Sequence, residues 1–219
     1  MTIRPITLSV LLLPSLAVGC DDVVVFDVDP EGRVLVAADA AGLAPLDADG
    51  KKPRHLFWVD PTSGAAERVT RSPLALSWPR ACEGGVLFVE KRNALVLLRS
   101  GEKRTLYTSK TKKLFQPVMS DDGARVLVFE AKRLGVSGDL LVLSAKSGRV
   151  LRTLPKALLG STWTPGGDLL VPRSDKERTE PFAAGKGEIA RIGAKKARVI
   201  FSGLVPGINM LDAGEAEDD

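Results

Sequence analysis

The residue with the most defined chemistry in this sequence is Cys20, a thiol standing directly after an apolar run from Ile6 to Leu16 and the small residues Ala17-Val18-Gly19. A basic start at Arg4, a short apolar stretch and a small-residue site make up a secretory signal and its cut. The run is too short to cross a bilayer, which takes roughly 20 apolar residues, and Pro14 interrupts it. Residues 1–19 therefore read as a cleaved signal rather than an anchor. Elsewhere the chemistry is sparse. Asp47-Ala48-Asp49-Gly50 echoes the opening of a calcium loop, where alternate carboxylates offer oxygens to a hard cation, but the later ligands are missing and a polar turn is the better reading. The cluster Asp175-Lys176-Glu177-Arg178 with Glu180 has mixed sign and reads as a solvated loop. Catalytic patterns are lacking: the one histidine, His55, abuts a strand, no G-x-S-x-G elbow is present, and no cysteine–histidine pairing is suggested. Neither a resident metal nor a cofactor is expected.

A cysteine directly after such a cut resembles the lipobox of bacterial lipoproteins. The resemblance implies that Cys20 is acylated, as with palmitate, and that the signal is then removed. Several acyl chains hold a protein firmly to a bilayer where one does not. Asp21 and Asp22 follow, and in enterobacterial lipoproteins an aspartate there resembles an inner-membrane retention signal. The expected location is the cell envelope, with the inner membrane facing the periplasm favoured over the outer membrane. Once Cys20 is acylated only Cys82 is left, so no internal disulfide forms. Cys82 reads as a small buried hydrophobe, against an intermolecular disulfide that an oxidising periplasm permits.

Composition is that of a globular chain. Of 219 residues, 44% are hydrophobic and 26% charged, enough for one ordinary folded domain. The formal net charge is +4, of which Arg4 supplies one, and so mild a balance does not suggest nucleic acid as a partner.

The elements that position these residues are legible as an internal repeat. One turn recurs as Val28-Asp29-Pro30-Glu31-Gly32, Met119-Ser120-Asp121-Asp122-Gly123 and Trp163-Thr164-Pro165-Gly166-Gly167, with Trp78 to Gly84 as a longer variant. Each is followed by a short apolar run such as Val86-Leu87-Phe88-Val89 or Val126-Leu127-Val128-Phe129. Acidic residues and proline set the turn, glycine supplies positive φ, and branched residues favour the strand. Third strands read Leu56 to Val59, Leu95 to Leu98, Leu140 to Leu143 and Glu188 to Ile192; fourth strands open on Glu67, Arg104, Arg149 and Arg198. No ten-residue helical pattern intervenes.

Four strands at a period of roughly 40–50 residues mark a β-propeller blade. The tryptophan-containing turn, best preserved at Trp163 to Gly167, resembles the W-S-P-D-G repeat of TolB-type propellers; a lone His55 excludes the recurrent Gly-His pair of WD repeats. The resemblance implies an all-β fold, not TolB's partners. The expected organisation is a signal at 1–19, the lipidated cysteine and a short tether at 20–22, and a propeller over 23–211. Its four antiparallel blades fall near 23–71, 72–110, 114–155 and 157–203, and an acidic tail occupies 212–219. Closure into a ring is favoured over an open arc, since closure removes exposed edges.

Two long connections, Ala38 to Arg54 and Arg173 to Gly187, and a shorter one, Ala131 to Gly138, lie on the face where strand two passes to strand three. Loops on a rigid scaffold carry binding residues, so the candidate binding face comprises Asp47, Asp49, Lys51 and Arg54 with Arg173, Asp175, Lys176 and Arg178. The basic run Lys103, Arg104, Lys110, Lys112 and Lys113 reads as a blade edge protected by lysine rather than a surface for anionic headgroups. Trp58, Trp78 and Trp163 read as core.

The function expected is a lipid-anchored, non-catalytic binding or scaffold module whose partner is a membrane-proximal envelope protein. The rivals are a propeller lyase or hydrolase, with a carboxylate-bound metal held by inward acids such as Asp27 and Asp121, and a structural subunit of a larger envelope assembly. Replacing Cys20 by serine is expected to block acylation and leave the precursor with residues 1–19 attached. The mass of the purified protein checks this, and normal maturation of the variant would remove the lipoprotein reading.

Overall fold

The computed structural model describes residues 23–29, 31–39, 54–70, 76–174, 179, 185–193 and 197–205. Every regular element among them is a strand. The chain divides into two compact units, residues 1–75 and 76–219.

The first unit holds one antiparallel sheet in sequential order: β1 (Val23–Val28), β2 (Val34–Asp39), β3 (Arg54–Val59) and β4 (Ala66–Arg68). Leu35 and Leu56 are fully buried in it. The Asp29 carboxylate organises the first turn, accepting bonds from the amides of Glu31 and Arg33 and from the Arg33 guanidinium. That guanidinium also lies 4.9 Å from the centroid of the Trp58 ring, a cation–π contact.

The second unit repeats the same four-strand order. One sheet comprises β5 (Leu76–Cys82), β6 (Gly85–Glu90), β7 (Ala94–Arg99) and β8 (Glu102–Thr108). The next comprises β9 (Lys113–Met119), β10 (Arg125–Ala131), β11 (Gly138–Ser144) and β12 (Val150–Ala157). The last comprises β13 (Thr162–Trp163), β14 (Leu169–Ser174), β15 (Gly185–Ile192) and β16 (Ala197–Val205). Each is a propeller blade in its strand order.

The repeat is visible in backbone hydrogen bonds. In the first-to-second turns, Asp29, Ser120 and Thr164 each donate their amide across the turn and accept from the glycine amide three residues on: Gly32, Gly123 or Gly167. In the third-to-fourth turns Asp60 and Ser144 use the same scheme one residue longer, accepting from the amides of Gly64 and Gly148 four residues on. Ser120 and Thr164 place a hydroxyl where Asp29 places a carboxylate, accepting from the amide of Arg125 or Asp168 as Asp29 accepts from that of Arg33, each at or one residue before the start of the next strand.

Packing between sheets follows period-two alternation. Leu127, Phe129 and Ala131 of β10, with Leu140 and Val142 of β11, face a cluster shared with Trp163, Leu169, Val171, Ala190 and Ile192 of the last sheet. Their neighbours Val126, Val128, Leu141 and Leu143 face the other way, against Leu87, Val89, Leu95, Leu97 and Cys82 of the preceding sheet. Both faces of the two central strands, β10 and β11, are thus buried, which is why they are continuous apolar runs. Cys82 is 8% exposed within this core.

Two features differ from the sequence expectation. Residues Trp78 to Cys82 are not a long variant of the first turn: they are strand β5, and the turn is the two-residue Glu83-Gly84, with Cys82 opposite Gly85. Trp78 (φ 54°) instead corresponds to Gln116 (φ 43°), each preceding a proline at the bulge of a first strand. Proline removes a ladder donor, and a bulge on an edge strand is where that is tolerated. Gln116 uses its carbonyl to accept from the Gly160 amide at 2.9 Å. The second difference is at the junction of the last two blades. Strand β12 bulges at Pro155-Lys156 and runs on, so that Ala157 pairs with both Gly138 of β11 and Arg173 of β14. Blades three and four therefore form one sheet of eight strands, and β13 is left with two residues. Of the tryptophans, Trp58 and Trp163 are buried and Trp78 is half-buried against the core.

Gly148 (φ +71°) turns directly against the backbone of Leu106 in β8, so a Cβ there would strike the Leu106 carbonyl. Gly84 has a similar φ (+67°) but open space around it. Gly84→Ala is expected to cost about 1–2 kcal/mol for the left-handed conformation alone. Gly148→Ala is expected to cost roughly twice that, because the neighbouring blade must also yield. Urea denaturation of the two variants checks the difference.

Candidate functional site

Three segments distant in sequence meet at one end of the second unit: the β6–β7 turn, the β8–β9 link and the β10–β11 loop. The turn is a tight reversal, with the Asn93 amide donating to the Glu90 carbonyl at 3.2 Å. The link is bound to it by the Ser109 amide donating to Asn93 O at 2.9 Å and the Leu114 amide donating to Arg92 O at 2.7 Å. The Asn93 side-chain amide closes the contact by donating to Ser109 O. Lys113 stands opposite Ala131 in the β9–β10 ladder, which brings the β10–β11 loop alongside.

Beneath these segments lies a polar cluster. Glu130 and Asp139 are directly opposed on β10 and β11. The Lys112 ammonium serves both, 2.6 Å from Asp139 Oδ2 and 3.8 Å from Glu130 Oε2. The Tyr107 hydroxyl, from β8 of the neighbouring blade, donates to Glu130 Oε1 at 3.0 Å. Burial, reinforced by that bond to a carboxylate, pushes the Tyr107 phenol up to about 12. The arrangement clamps two blades together, since opposed carboxylates are held by a cation and a phenol that reach them from outside their own strands. Glu90 at the base of the turn pairs with Lys103.

His55 is committed to the fold. His55 Nδ1 lies 3.2 Å from Thr70 Oγ1, which accepts from the Leu56 amide, and burial with Arg68 nearby lowers the imidazole pKa. Asp121 is exposed in the β9–β10 turn and does not line an inner strand, contrary to the expectation for an inward acid. Among the described residues no three His, Cys, Asp or Glu side chains are grouped to hold a metal ion, and no helix is long and apolar enough to cross a membrane.

Of the expected binding-face residues, Asp47, Asp49, Lys51, Asp175, Lys176 and Arg178 lie outside the described residues, as does Cys20. Arg54 begins β3 in the first unit. Arg173 lies on β14 in the second, its guanidinium 3.5 Å from Glu188. The basic run divides. Lys103 and Arg104 belong to the start of β8, where Arg104 donates to the carbonyls of Ala145 and Lys146. Lys110, Lys112 and Lys113 belong to the opposite end, beyond Thr108. There they meet Lys91, Arg92, Lys132 and Arg133, whose convergence has no signature in sequence spacing.

No family model and no curated protein matches the chain. Solved structures do, as β-propellers. Pyrococcus horikoshii acylaminoacyl peptidase superposes with a TM-score of 0.56 at 12% identity, over 83% of this chain and 33% of that one. The β-propeller domain of the Trilobed protease from Pyrococcus furiosus superposes with a TM-score of 0.56 at 13% identity, over 83% of this chain and 58% of that one. BamB from Moraxella catarrhalis gives 0.50 at 15% identity, over 84% and 54%. At these identities the likeness is of fold: the chain is an all-β protein of propeller blades, and it spans between a third and three-fifths of the chains it resembles. The solved structures it resembles include a peptidase, a protease domain and BamB, so the shared fold by itself assigns no activity.

Tyr107 is the one tyrosine in the sequence, so the phenolate absorbance titrates it alone. Its midpoint is expected at about 12 rather than the usual 10 in the folded protein, moving back toward the usual value in Glu130→Gln. A raised folded pKa on an acid stabilises the fold below the unfolded pKa, and that contribution is lost as pH rises toward 12. Denaturation midpoints should therefore fall less steeply between pH 10 and 12 in Tyr107→Phe than in the wild type.

Proposed function

We propose that this chain is a lipid-anchored, non-catalytic β-propeller that serves as a binding or scaffold module of the bacterial cell envelope. The observation that carries the reading is the placement of Cys20: it follows a signal-like run, and β1 begins at Val23, with only Asp21 and Asp22 between. The three steps from Cys20 to Val23 span at most about 11 Å, so an acylated Cys20 holds the first sheet close to the headgroups and favours partners that are themselves membrane-proximal. The inner membrane, facing the periplasm, is the proposed location, from Asp21 and Asp22. Among the described residues the non-catalytic reading is supported by several groups that carry chemistry and are engaged in structure: His55 with Thr70, Cys82 in the core, and Glu130 and Asp139 with Lys112 and Tyr107.

A mild-detergent pull-down of the tagged, lipidated protein, read by mass spectrometry, tests the proposal. A reproducible envelope protein is expected in the eluate, together with a thermal unfolding midpoint indifferent to chelator. Purification of the chain alone, with a midpoint that falls when chelator is added, would replace this reading with that of a metal-dependent propeller enzyme. Concentration-dependent self-assembly without another protein would make it a structural subunit.

A further inference from the structure

We propose that the end of the second unit formed by the β6–β7 turn, the β8–β9 link and the β10–β11 loop binds anionic lipid headgroups, with Lys91, Lys110, Lys113 and Lys132 as its contacts. The lipid-anchor reading brings a bilayer within reach; the cationic end itself is a matter of geometry.

Backbone hydrogen bonds and strand register bring the three segments together, so Lys91, Lys110 and Lys132, each exposed, stand on one contiguous surface with Lys113 and Arg133. The described acids at this end are already matched: Glu90 by Lys103, and Glu130 and Asp139 by Lys112. Among the described residues none of the four named lysines forms an ion pair, so no described acid neutralises their charge. A second observation lies in the β6–β7 turn. Lys91 (φ 48°) and Arg92 (φ 63°) both adopt the left-handed conformation, in a turn where Asn-Gly is the unstrained choice. Long cations at both positions are disfavoured for folding, and residues kept in such conformations point to a role outside it.

The chemistry of the surface fits a field of phosphates better than one shaped ligand. Lysine is a hydrated point charge on a flexible stem, without the planar fork that reads a single carboxylate or phosphate. The large exposed hydrophobics of this unit, Val150, Leu151, Val199 and Ile200, stand near the starts of β12 and β16, away from this end. Binding is therefore adsorption without insertion, and salt screens it.

The test uses the processed chain, residues 20–219, carrying Cys20→Ser so that no acyl chain contributes. Co-sedimentation is measured with vesicles containing phosphatidylglycerol and with vesicles of phosphatidylcholine alone. Binding is expected to the anionic vesicles only, and to weaken as salt is raised. The variant K91Q/K110Q/K132Q should bind roughly a hundredfold more weakly, from three lost headgroup contacts. R99Q/K146Q/R149Q removes the same charge from exposed turns at the opposite ends of these strands and should bind nearly as the wild type does. Circular dichroism and urea midpoints confirm that both variants fold. Equal weakening in the two variants would reduce the effect to net charge and overturn the proposal, as would the absence of binding to anionic vesicles. Binding to polyglutamate but not to vesicles would also overturn it and assign the face to an acidic protein. Because acylation is absent from the assay and is read separately by the mass of the Cys20→Ser precursor, either reading can fail without the other.

Discussion

The two central strands of the β9–β12 sheet, β10 and β11, have no face toward water. Odd-numbered residues of β10 press against the last blade and even-numbered ones against the blade before it, so each residue along the strand is assigned to one of two different interfaces. A slip of one position in register would exchange the two sets entire, placing Phe129 where Val128 sits. With both interfaces packed near crystal density, neither accepts the exchange. Pairing within this sheet, the spacing to its neighbours and the level at which turns and links emerge all follow from that single registration. The functional surface inherits it, since Glu130 opposes Asp139 only in this register.

Much of the architecture was legible in the sequence because turn chemistry and apolar runs are local signals. Asp29, Ser120 and Thr164 announce the same turn by different atoms, a carboxylate in one and a hydroxyl in two, and the spacing to the following glycine and strand is preserved. Legibility failed where a local signal had two meanings. By its sequence alone, Trp78-Pro79 matches the start of a turn on the pattern of Trp163. In the fold it is a bulge that pairs in role with Gln116, a residue sharing only the following proline. The hand-over at Ala157 was equally invisible, since joining two blades into one sheet is decided by a bulge at Pro155-Lys156 and not by residue type.

The candidate site shows the same limit from the side of charge. Reading along the chain grouped Lys103 and Arg104 with Lys110, although about six strand residues, roughly 20 Å, separate them. The fold sorts the backbones of those cations to opposite ends, with the Lys103 side chain reaching back to Glu90, and adds Lys91, Arg92, Lys132 and Arg133 from segments that sequence proximity never connected. Arg104 proves to be a structural donor to the neighbouring blade's carbonyls, and Lys112 a counter-ion to two carboxylates. A lysine's role thus depends on what lies across the ladder, which only topology supplies.

The strand shared through Ala157 bears on how this fold can be divided. Repeat architectures are usually additive, each module contributing its own stability and that of its contacts with the next. Here the boundary between the last two modules is itself a strand pairing: Ala157 stands opposite both Gly138 and Arg173, and the Leu158 amide donates to the Pro172 carbonyl at 2.8 Å. Removing the last blade would strip a strand end of its partners instead of parting a loop. A blade is for that reason more readily gained or lost before β9 than between β12 and β14, where the strands themselves are bonded.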